Sequence, residues 1–231
     1  MTKVGILGGT GECGKALLEN LLKNNHYPNV HLIARRSTIN DLQSKYPNAN
    51  LTESIINFDD ALSEKLTTNP FENCQQVFCC MGTTKANAGS AEAFIKIDKD
   101  YVLASAKYAK TANVGHFHYV SSGGASEKSS FLYPRTKGEI QVGLSDLKFP
   151  ALSIYQPGLL LCERSESRPG EAVARFFGNC ISKLTNSGSC STWNVGAAML
   201  GSSKAAFDED ATKVDYYSNA QIHEEAKKFQ K

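Results

Sequence analysis

Apolar and polar residues follow two alternating periods along the chain, and their order predicts a doubly wound α/β fold. An apolar run at 4–7 leads into a glycine turn and then into helical spacing over 16–22. Further apolar runs predict strands at 30–34, 51–58, 76–81, 115–120, 151–155 and 213–217. Helical patterns lie at 37–45, 61–66, 91–111, 171–184, 195–200 and 219–229. This alternation favours a mostly parallel sheet of about six to seven strands with helices on both faces.

The length of the chain sets the expected domain organisation. Its 231 residues fall within the range of one α/β domain, so we expect a single domain over 1–231. A small substrate cap is expected around 163–204, where a polar loop leads into the predicted helix 171–184. Helix 91–111 and the helix after Ser129 either pair two subunits or pack internally. The sequence is therefore compatible with a monomer or with a homodimer.

The glycine turn predicts a Rossmann nucleotide-binding unit. Gly9, Gly11 and Gly14 fit G-x-G-x-x-G, while Gly8, Gly11 and Gly14 fit G-x-x-G-x-x-G. In both variants the glycines permit a tight turn, let the backbone approach a pyrophosphate and let the helix pack closely on its strand. The required order of strand, motif and helix favours this function over an ordinary turn.

The end of the second predicted strand indicates the type of dinucleotide. Arg35 and Arg36 lie about twenty residues after the glycines, where an NAD-preferring protein usually carries an acidic residue for the ribose 2′-hydroxyl. Arginine accommodates a 2′-phosphate, so the pair favours NADPH. A solvated basic turn is the alternative interpretation.

A serine, a tyrosine and a lysine provide candidate catalytic groups. Ser122 (or Ser121) ends the fifth strand, and Tyr133 precedes Lys137 by four residues, which places both side chains on one helix face. An ammonium group lowers the pKa of a nearby phenol, which is otherwise about 10, so Tyr133 becomes a proton donor. Ser122 would hold the substrate oxygen where charge develops. Pro134 requires that Tyr133 lie in the first helical turn, which Ser129 or Ser130 would cap.

Several other residues have two competing interpretations. Gly82 and Thr83 follow a buried strand and should line the dinucleotide near its second ribose. Arg168 either folds over the pyrophosphate or is an exposed loop charge. Asp59 and Asp60 either accept a hydrogen bond from adenine or cap a helix. His116 and His118 are more simply explained as side chains on one sheet face than as metal ligands, because no third ligand is visible.

Composition and charge exclude several classes of function. The net charge is only +2, and no basic stripe points to nucleic acid. No apolar stretch is long enough for a transmembrane helix, and the first strand begins too early for a signal peptide. Seven cysteines without a C-x-x-C pair are expected to be reduced thiols. We therefore expect a cytoplasmic protein.

Longer strings of residues resemble one known family, the atypical short-chain dehydrogenase/reductases, in the branch of the Tat-interacting tumour-suppressor oxidoreductase and its fungal mitochondrial relatives. The resemblance is carried by residues 8–14, 34–36, 78–84, 121–122, 131–133 with 137–139, 157–162 and 166–171. It implies an NADPH site formed by Thr10, Gly11, Glu12, Cys13, Arg35, Arg36, Met81, Gly82, Tyr133, Lys137, Leu160 and Arg168. It also implies protein partners, cytoplasmic and nuclear location, and roles in apoptosis, transcription and nuclear import. Gln156 departs from the family pattern, which has an arginine before the Pro-Gly pair.

These observations favour one function over its rivals. We expect an NADPH-dependent oxidoreductase that reduces a carbonyl or an activated double bond through Ser122, Tyr133 and Lys137. The alternative is a regulatory protein that senses NADPH and acts through protein partners with little turnover. An isomerase is less favoured because the chain lacks a large substrate domain, and mitochondrial association is ranked behind cytoplasm and nucleus. The sequence does not identify the substrate.

Overall fold

Seven parallel strands form the central sheet of the computed structural model, which describes residues 2–24, 26–161, 188–205, 208 and 211–229. The sheet order is β3-β2-β1-β4-β5-β6-β9, and every neighbouring pair is parallel. A separate parallel pair joins β7 to β8. The strands are β1 Lys3–Leu7, β2 Asn29–Ala34, β3 Leu51–Ile55, β4 Cys74–Cys79, β5 His116–Val120, β6 Ala151–Gln156, β7 Leu159–Leu161, β8 Ser189–Ser191 and β9 Lys213–Ser218.

Helices connect the strands and cover both faces of the sheet. They are α1 Glu12–Lys23, α2 Ile39–Lys45, α3 Phe58–Leu62, α4 Lys85–Ala88, α5 Ala91–Ile95, α6 Tyr101–Thr111, α7 Leu132–Asp146, α8 Thr192–Ser202 and α9 Asn219–Phe229. A π-helical segment, Lys96–Asp100, joins α5 to α6 without a break. The predicted doubly wound fold is confirmed. No helix in the described ranges is both long and apolar enough to cross a bilayer.

The strand order creates a crevice at the carboxyl ends of the strands, between β1 and β4. The chain runs outward from β1 to β3, then crosses back to β4 and continues in the opposite direction. Ligands of open α/β sheets bind outside the carboxyl ends of the strands at such a reversal. The glycine turn, Arg35, Met81 and Ser122 all follow carboxyl strand ends, so the fold gathers them on this side of the sheet.

Side chains of alternate residues in the strands enter two separate hydrophobic layers. Cys79 and Phe117 belong to the layer that α6 and α7 cover, and Phe78 belongs to the layer under α1, α8 and α9. Cys80 packs against the second layer, so the two neighbouring cysteines face opposite sides of the sheet as predicted. Burial on both faces explains why β4 is a continuous apolar run.

Local differences from the predicted boundaries have physical causes. Strand β3 ends at Ile55 because the side chain of Asn57, and not of Asp59 or Asp60, caps α3. Helix α7 begins at Leu132, which places Pro134 within the first turn, where its missing N–H costs nothing. The Ser129 hydroxyl accepts a hydrogen bond from the N–H of Phe131 at 3.2 Å, ahead of α7, so the predicted serine cap is wrong.

The predicted cap around 163–204 overlaps only partly with the described residues. Helix α8 packs closely on α1, since a Cβ at Gly196 would lie 2.9 Å from the backbone of Leu17. This part of the chain therefore completes the second hydrophobic layer. The predicted helix 171–184 lies outside the described residues, and the cap stays a prediction.

Candidate cofactor and catalytic site

The glycine turn brings the start of α1 close to the end of β4. Gly8 has φ +76°, and a Cβ there would lie 2.6 Å from the carbonyl carbon of Cys80. A Cβ at Gly14 would lie 2.1 Å from the carbonyl oxygen of Gly8. The Gly11 N–H donates to that same oxygen at 3.1 Å. A Cβ would clash with backbone at both Gly8 and Gly14, so these two positions require glycine. Both belong to the G-x-x-G-x-x-G spacing.

Gly11 has a different role in the turn. It is the N-cap of α1 in an extended conformation, and the nearest atom to a Cβ there would be the Gly8 carbonyl oxygen at 3.5 Å, an ordinary contact. No packing contact therefore requires a glycine at this position. The free N–H groups at the start of α1 favour an anion, and a glycine lets a pyrophosphate come close to them.

A cleft of about 210 Å³ lies beside this turn at the carboxyl ends of β1, β2 and β4. Of the predicted cofactor residues, Gly8, Thr10, Gly11, Arg35, Met81 and Gly82 line it. Glu12, Cys13 and Gly14 form the first turn of α1, Arg36 follows Arg35, and Thr83 follows Gly82. Leu160 lies on β7 and packs against the second hydrophobic layer. Arg168 lies outside the described residues.

Both arginines after β2 are exposed, and neither forms an ion pair or a hydrogen bond with any residue in the described ranges. The turn that follows them is anchored by Glu53 of β3, which the sequence analysis missed. Glu53 accepts a hydrogen bond from the Ser37 hydroxyl at 2.5 Å and one from the Thr38 N–H at 3.3 Å. The Glu53 carboxylate is thus bound to Ser37 and Thr38. The guanidinium groups of Arg35 and Arg36 therefore remain available to an anion.

Two aromatic side chains, Phe58 and Tyr101, line part of the cleft. The rings of Phe58 and Tyr101 lie 5.5 Å apart, and both residues line the cavity. The Tyr101 hydroxyl donates to Asp59 at 2.7 Å, and Lys96 forms an ion pair with the same carboxylate at 2.7 Å. Asp59 thereby holds Tyr101 in place from the solvent side.

The predicted catalytic side chains come together, and Lys137 lies beside the cleft, since a Cβ at the lining residue Gly82 would lie 3.6 Å from the Lys137 Nζ. Tyr133 lies in the first turn of α7, and the Lys137 Nζ lies 5.9 Å from the centre of its ring. Ser122 is within hydrogen-bonding reach of the Tyr133 hydroxyl. Ser121 points elsewhere, because its hydroxyl accepts a hydrogen bond from Gln141 at 2.7 Å. Of the two serines considered from the sequence, Ser122 is therefore the one beside Tyr133.

A buried carboxylate that the sequence analysis missed is the closest partner of Lys137. Asp98, in the π-helical segment, places Oδ2 2.9 Å from the Lys137 Nζ, and both side chains are buried. Asp98 Oδ1 accepts a hydrogen bond from the Thr83 N–H at 2.5 Å. Lys137 also donates to the Tyr119 hydroxyl at 3.1 Å. Periodicity alone did not reveal Asp98, because it occupies an apolar helix face.

The electrostatic environment differs from the prediction for Tyr133. Burial raises the pKa of its hydroxyl above the ordinary value, and this outweighs the lowering by Lys137 and Ser122. Burial alone would lower the pKa of Lys137, but the Asp98 carboxylate raises it well above its usual value. Lys137 lowers the pKa of the Tyr133 hydroxyl as expected, but burial has the larger effect and Asp98 adds to it, so the net shift is upward. Tyr133 is protonated and Lys137 is charged at neutral pH.

The two histidines of β5 belong to the core. Their rings stack 3.7 Å apart, and His118 bonds Tyr155 at 2.9 Å and Gln76 at 3.1 Å. His116 bonds Ser153 at 2.8 Å. Across the described ranges, no group of three His, Cys, Asp or Glu side chains is arranged to hold a metal ion.

The fold and the cleft define a Rossmann-type nucleotide-binding protein. Residues 8–146 match the family model described as NAD(P)H-binding, and the chain belongs to this family. The cofactor of this family is a nicotinamide dinucleotide.

Similar proteins define the branch of the family. The chain is 45% identical over 175 residues to Protein HTATIP2 of Rattus norvegicus, which covers 75% of this chain and 69% of the relative. It is 38% identical over 189 residues to Protein fmp52, mitochondrial, of Emericella nidulans, covering 81% and 79%. The predicted resemblance to this dehydrogenase/reductase branch is confirmed. The solved structure of the KRED1-Pglu enzyme has the same fold, with a TM-score of 0.67, 14% identity and coverage of 93% and 100%.

The names of the fungal relatives correct one expectation. Several are named mitochondrial proteins. The expectation of a cytoplasmic or nuclear protein, with mitochondrial association ranked behind, is therefore wrong. The expectation rested on the early start of the first strand and on the location that the family resemblance implied.

Proposed function

We propose that this protein is an NADPH-dependent reductase that acts on a carbonyl or an activated double bond. The observation that carries the proposal is the proximity of Ser122, Tyr133 and Lys137 to one another, with Lys137 beside Gly82 of the nucleotide cleft. NADPH, when bound, supplies the hydride. The chain's own residues orient the substrate and provide the proton.

The preference for NADPH rests on Arg35 and Arg36. Both guanidinium groups are exposed beside the cleft, and Glu53 is already bound to Ser37 and Thr38. Arginine presents several donors in a planar fork that matches a phosphate group. The contribution of Arg168 to the pyrophosphate, and that of Leu160 to the nicotinamide end, stay predictions.

Tyr133 is suited to donate a proton to the substrate. Its hydroxyl is protonated at neutral pH, and Ser122 lies beside it to hold the substrate oxygen. As negative charge develops on that oxygen, the Tyr133 proton moves to it and leaves a phenolate. The Lys137 ammonium and the Ser122 hydroxyl stabilise this phenolate until solvent returns a proton.

A titration of the purified protein with NADPH and NADH, followed by nicotinamide fluorescence, tests the proposal. A panel of carbonyl compounds and activated alkenes is then added, and oxidation of NADPH is recorded. Preferential NADPH binding with turnover on any compound supports the reductase. Tight binding without turnover on the whole panel contradicts it and supports the alternative, a cofactor-sensing protein that acts through partners.

The cellular location is a separate proposal. The names of the fungal relatives support association of this chain with mitochondria. Fractionation of cells that express the untagged chain tests it, with a mitochondrial marker and a cytosolic marker measured in the same fractions. Exclusive recovery with the cytosolic marker would refute it.

A further inference from the structure

Helix α5 and the π-helical segment that continues it lie beside α7, with two matched pairs of residues facing each other. Phe94 and Asp98 are four residues apart on one side, and Tyr133 and Lys137 are four residues apart on the other. The rings of Phe94 and Tyr133 lie 6.0 Å apart, and Asp98 lies 2.9 Å from Lys137. The widened π turn at Lys96–Asp100 thus occurs where an acid enters the catalytic site, as π turns often do at functional positions.

The ion pair formed by Asp98 and Lys137 also borders the cofactor cleft. A Cβ at Gly82, which lines the cleft, would lie 3.5 Å from Asp98 Oδ2 and 3.6 Å from Lys137 Nζ. The second oxygen of Asp98 is held by the Thr83 N–H. A single carboxylate therefore joins the turn after β4 to the lysine of α7.

We propose that Asp98 is the positioning residue of this site: its carboxylate fixes Lys137 and offsets the ammonium charge, so that Tyr133 acts as a proton donor and the site favours reduction over alcohol oxidation near neutral pH. The inference rests on the proposed reductase function and specifies the direction of its chemistry. The Lys137 ammonium forms an ion pair with Asp98 and donates a hydrogen bond to the Tyr119 hydroxyl, so two polar partners hold it in place.

The Asp98 carboxylate is a close charged partner of Lys137. The ammonium lies 2.9 Å from a carboxylate oxygen but 5.9 Å from the centre of the Tyr133 ring. The other titratable groups near this cluster are Tyr119, Cys79 and Cys13. Burial raises the pKa of the Tyr119 hydroxyl and of the Cys79 thiol, so both are neutral at neutral pH. Asp98 is thus the charge that balances Lys137.

An NMR titration of the cofactor-free protein labelled with ¹³Cζ-tyrosine tests the proposal. A Tyr133→Phe variant identifies the Tyr133 resonance. In Asp98→Asn the midpoint for Tyr133 should fall by about one to two pH units, because the ammonium charge is no longer offset. Asp100→Asn is the matched control, since it makes the same change two residues away in the same segment, and it should titrate as the wild type does.

An unchanged or raised Tyr133 midpoint in a folded Asp98→Asn variant would overturn the proposal. If that variant does not fold, Asp98→Asn/Lys137→Met removes both charges. Tyr133 should then titrate within about half a pH unit of the wild type, whereas a rise of about one unit or more would show that Asp98 does not offset Lys137.

The kinetic measurement separates this inference from the proposed function. With a substrate in hand and all reactants saturating, Asp98→Asn should raise kcat for alcohol oxidation relative to kcat for reduction at pH 7, and Asp100→Asn should not; an unchanged ratio of the two kcat values overturns the proposal. Absence of turnover in the wild type would refute the reductase alone, because the NMR titration needs neither cofactor nor substrate.

Discussion

Alanine at Gly14 and alanine at Gly11 should affect different properties of the protein. A Cβ at Gly14 would lie 2.1 Å from the carbonyl oxygen of Gly8, so backbone must move. Overpacking of this kind costs about 3 kcal/mol, and the higher helix propensity of alanine returns about 1 kcal/mol. The free energy of unfolding of Gly14→Ala should therefore fall by about 2 kcal/mol. For a chain of this length that lowers Tm by about 4–8 °C.

Gly11→Ala should leave the stability nearly unchanged. Its Cβ would make an ordinary 3.5 Å contact, and the residue already has an extended conformation. Alanine caps a helix less well than glycine, which lowers the stability, but it also reduces the entropy of the unfolded chain, which raises the stability. These two effects cancel to within about 1 kcal/mol. The methyl group would instead occupy the approach of the pyrophosphate to α1. Loss of one or two charge-assisted hydrogen bonds weakens NADPH binding by about ten- to a hundredfold.

Thermal and urea unfolding of both variants without cofactor, and fluorescence titration with NADPH, measure the two effects independently. The reasoning about the turn fails if Gly14→Ala melts with the wild type. It also fails if Gly11→Ala loses stability but keeps its affinity for NADPH. Either result would mean that the Gly8 to Gly14 turn does not have the close approach described above.

Three further changes give separate tests. Arg35→Ala/Arg36→Ala should bind NADPH about ten- to a hundredfold more weakly and NADH about equally, because two charged donors to the 2′-phosphate are lost; an unchanged ratio of the two dissociation constants would remove both arginines from cofactor selection. Tyr133→Phe should retain NADPH binding and lose about 10²- to 10⁴-fold in reductase kcat, as expected for a missing proton donor, and unchanged turnover would exclude that role. Burial lowers the pKa of His116 to about 4 from 6.5, so its stabilising effect is complete above about pH 6.5 and is lost as the pH falls toward 4. Urea unfolding should show His116→Asn losing about 2 kcal/mol less than the wild type between pH 7 and pH 5, and parallel pH profiles would contradict this.

The catalytic cluster shows how far sequence reasoning could go. The four-residue spacing of Tyr133 and Lys137 and the serines at the end of β5 were visible in the sequence, because helix and strand periodicity place side chains predictably. The choice between Ser121 and Ser122 was not, since it depends on which side chain Gln141 of the neighbouring helix binds. Asp98 was missed because it lies four residues after Phe94 on the apolar face of the predicted helix, where periodicity indicates core packing and does not reveal a functional acid.

The sequence by itself determined the order of strands and helices, the nucleotide turn and the resemblance to a reductase branch, because these depend on local periodicity and on short contiguous motifs. Only the tertiary structure decided which charges meet. Asp98, Thr83 and Lys137 come from three separate elements that packing brings together, and burial then sets the charge balance around Tyr133. The balance between burial and ion pairing depends on distances of a few ångströms, which no spacing along the chain specifies.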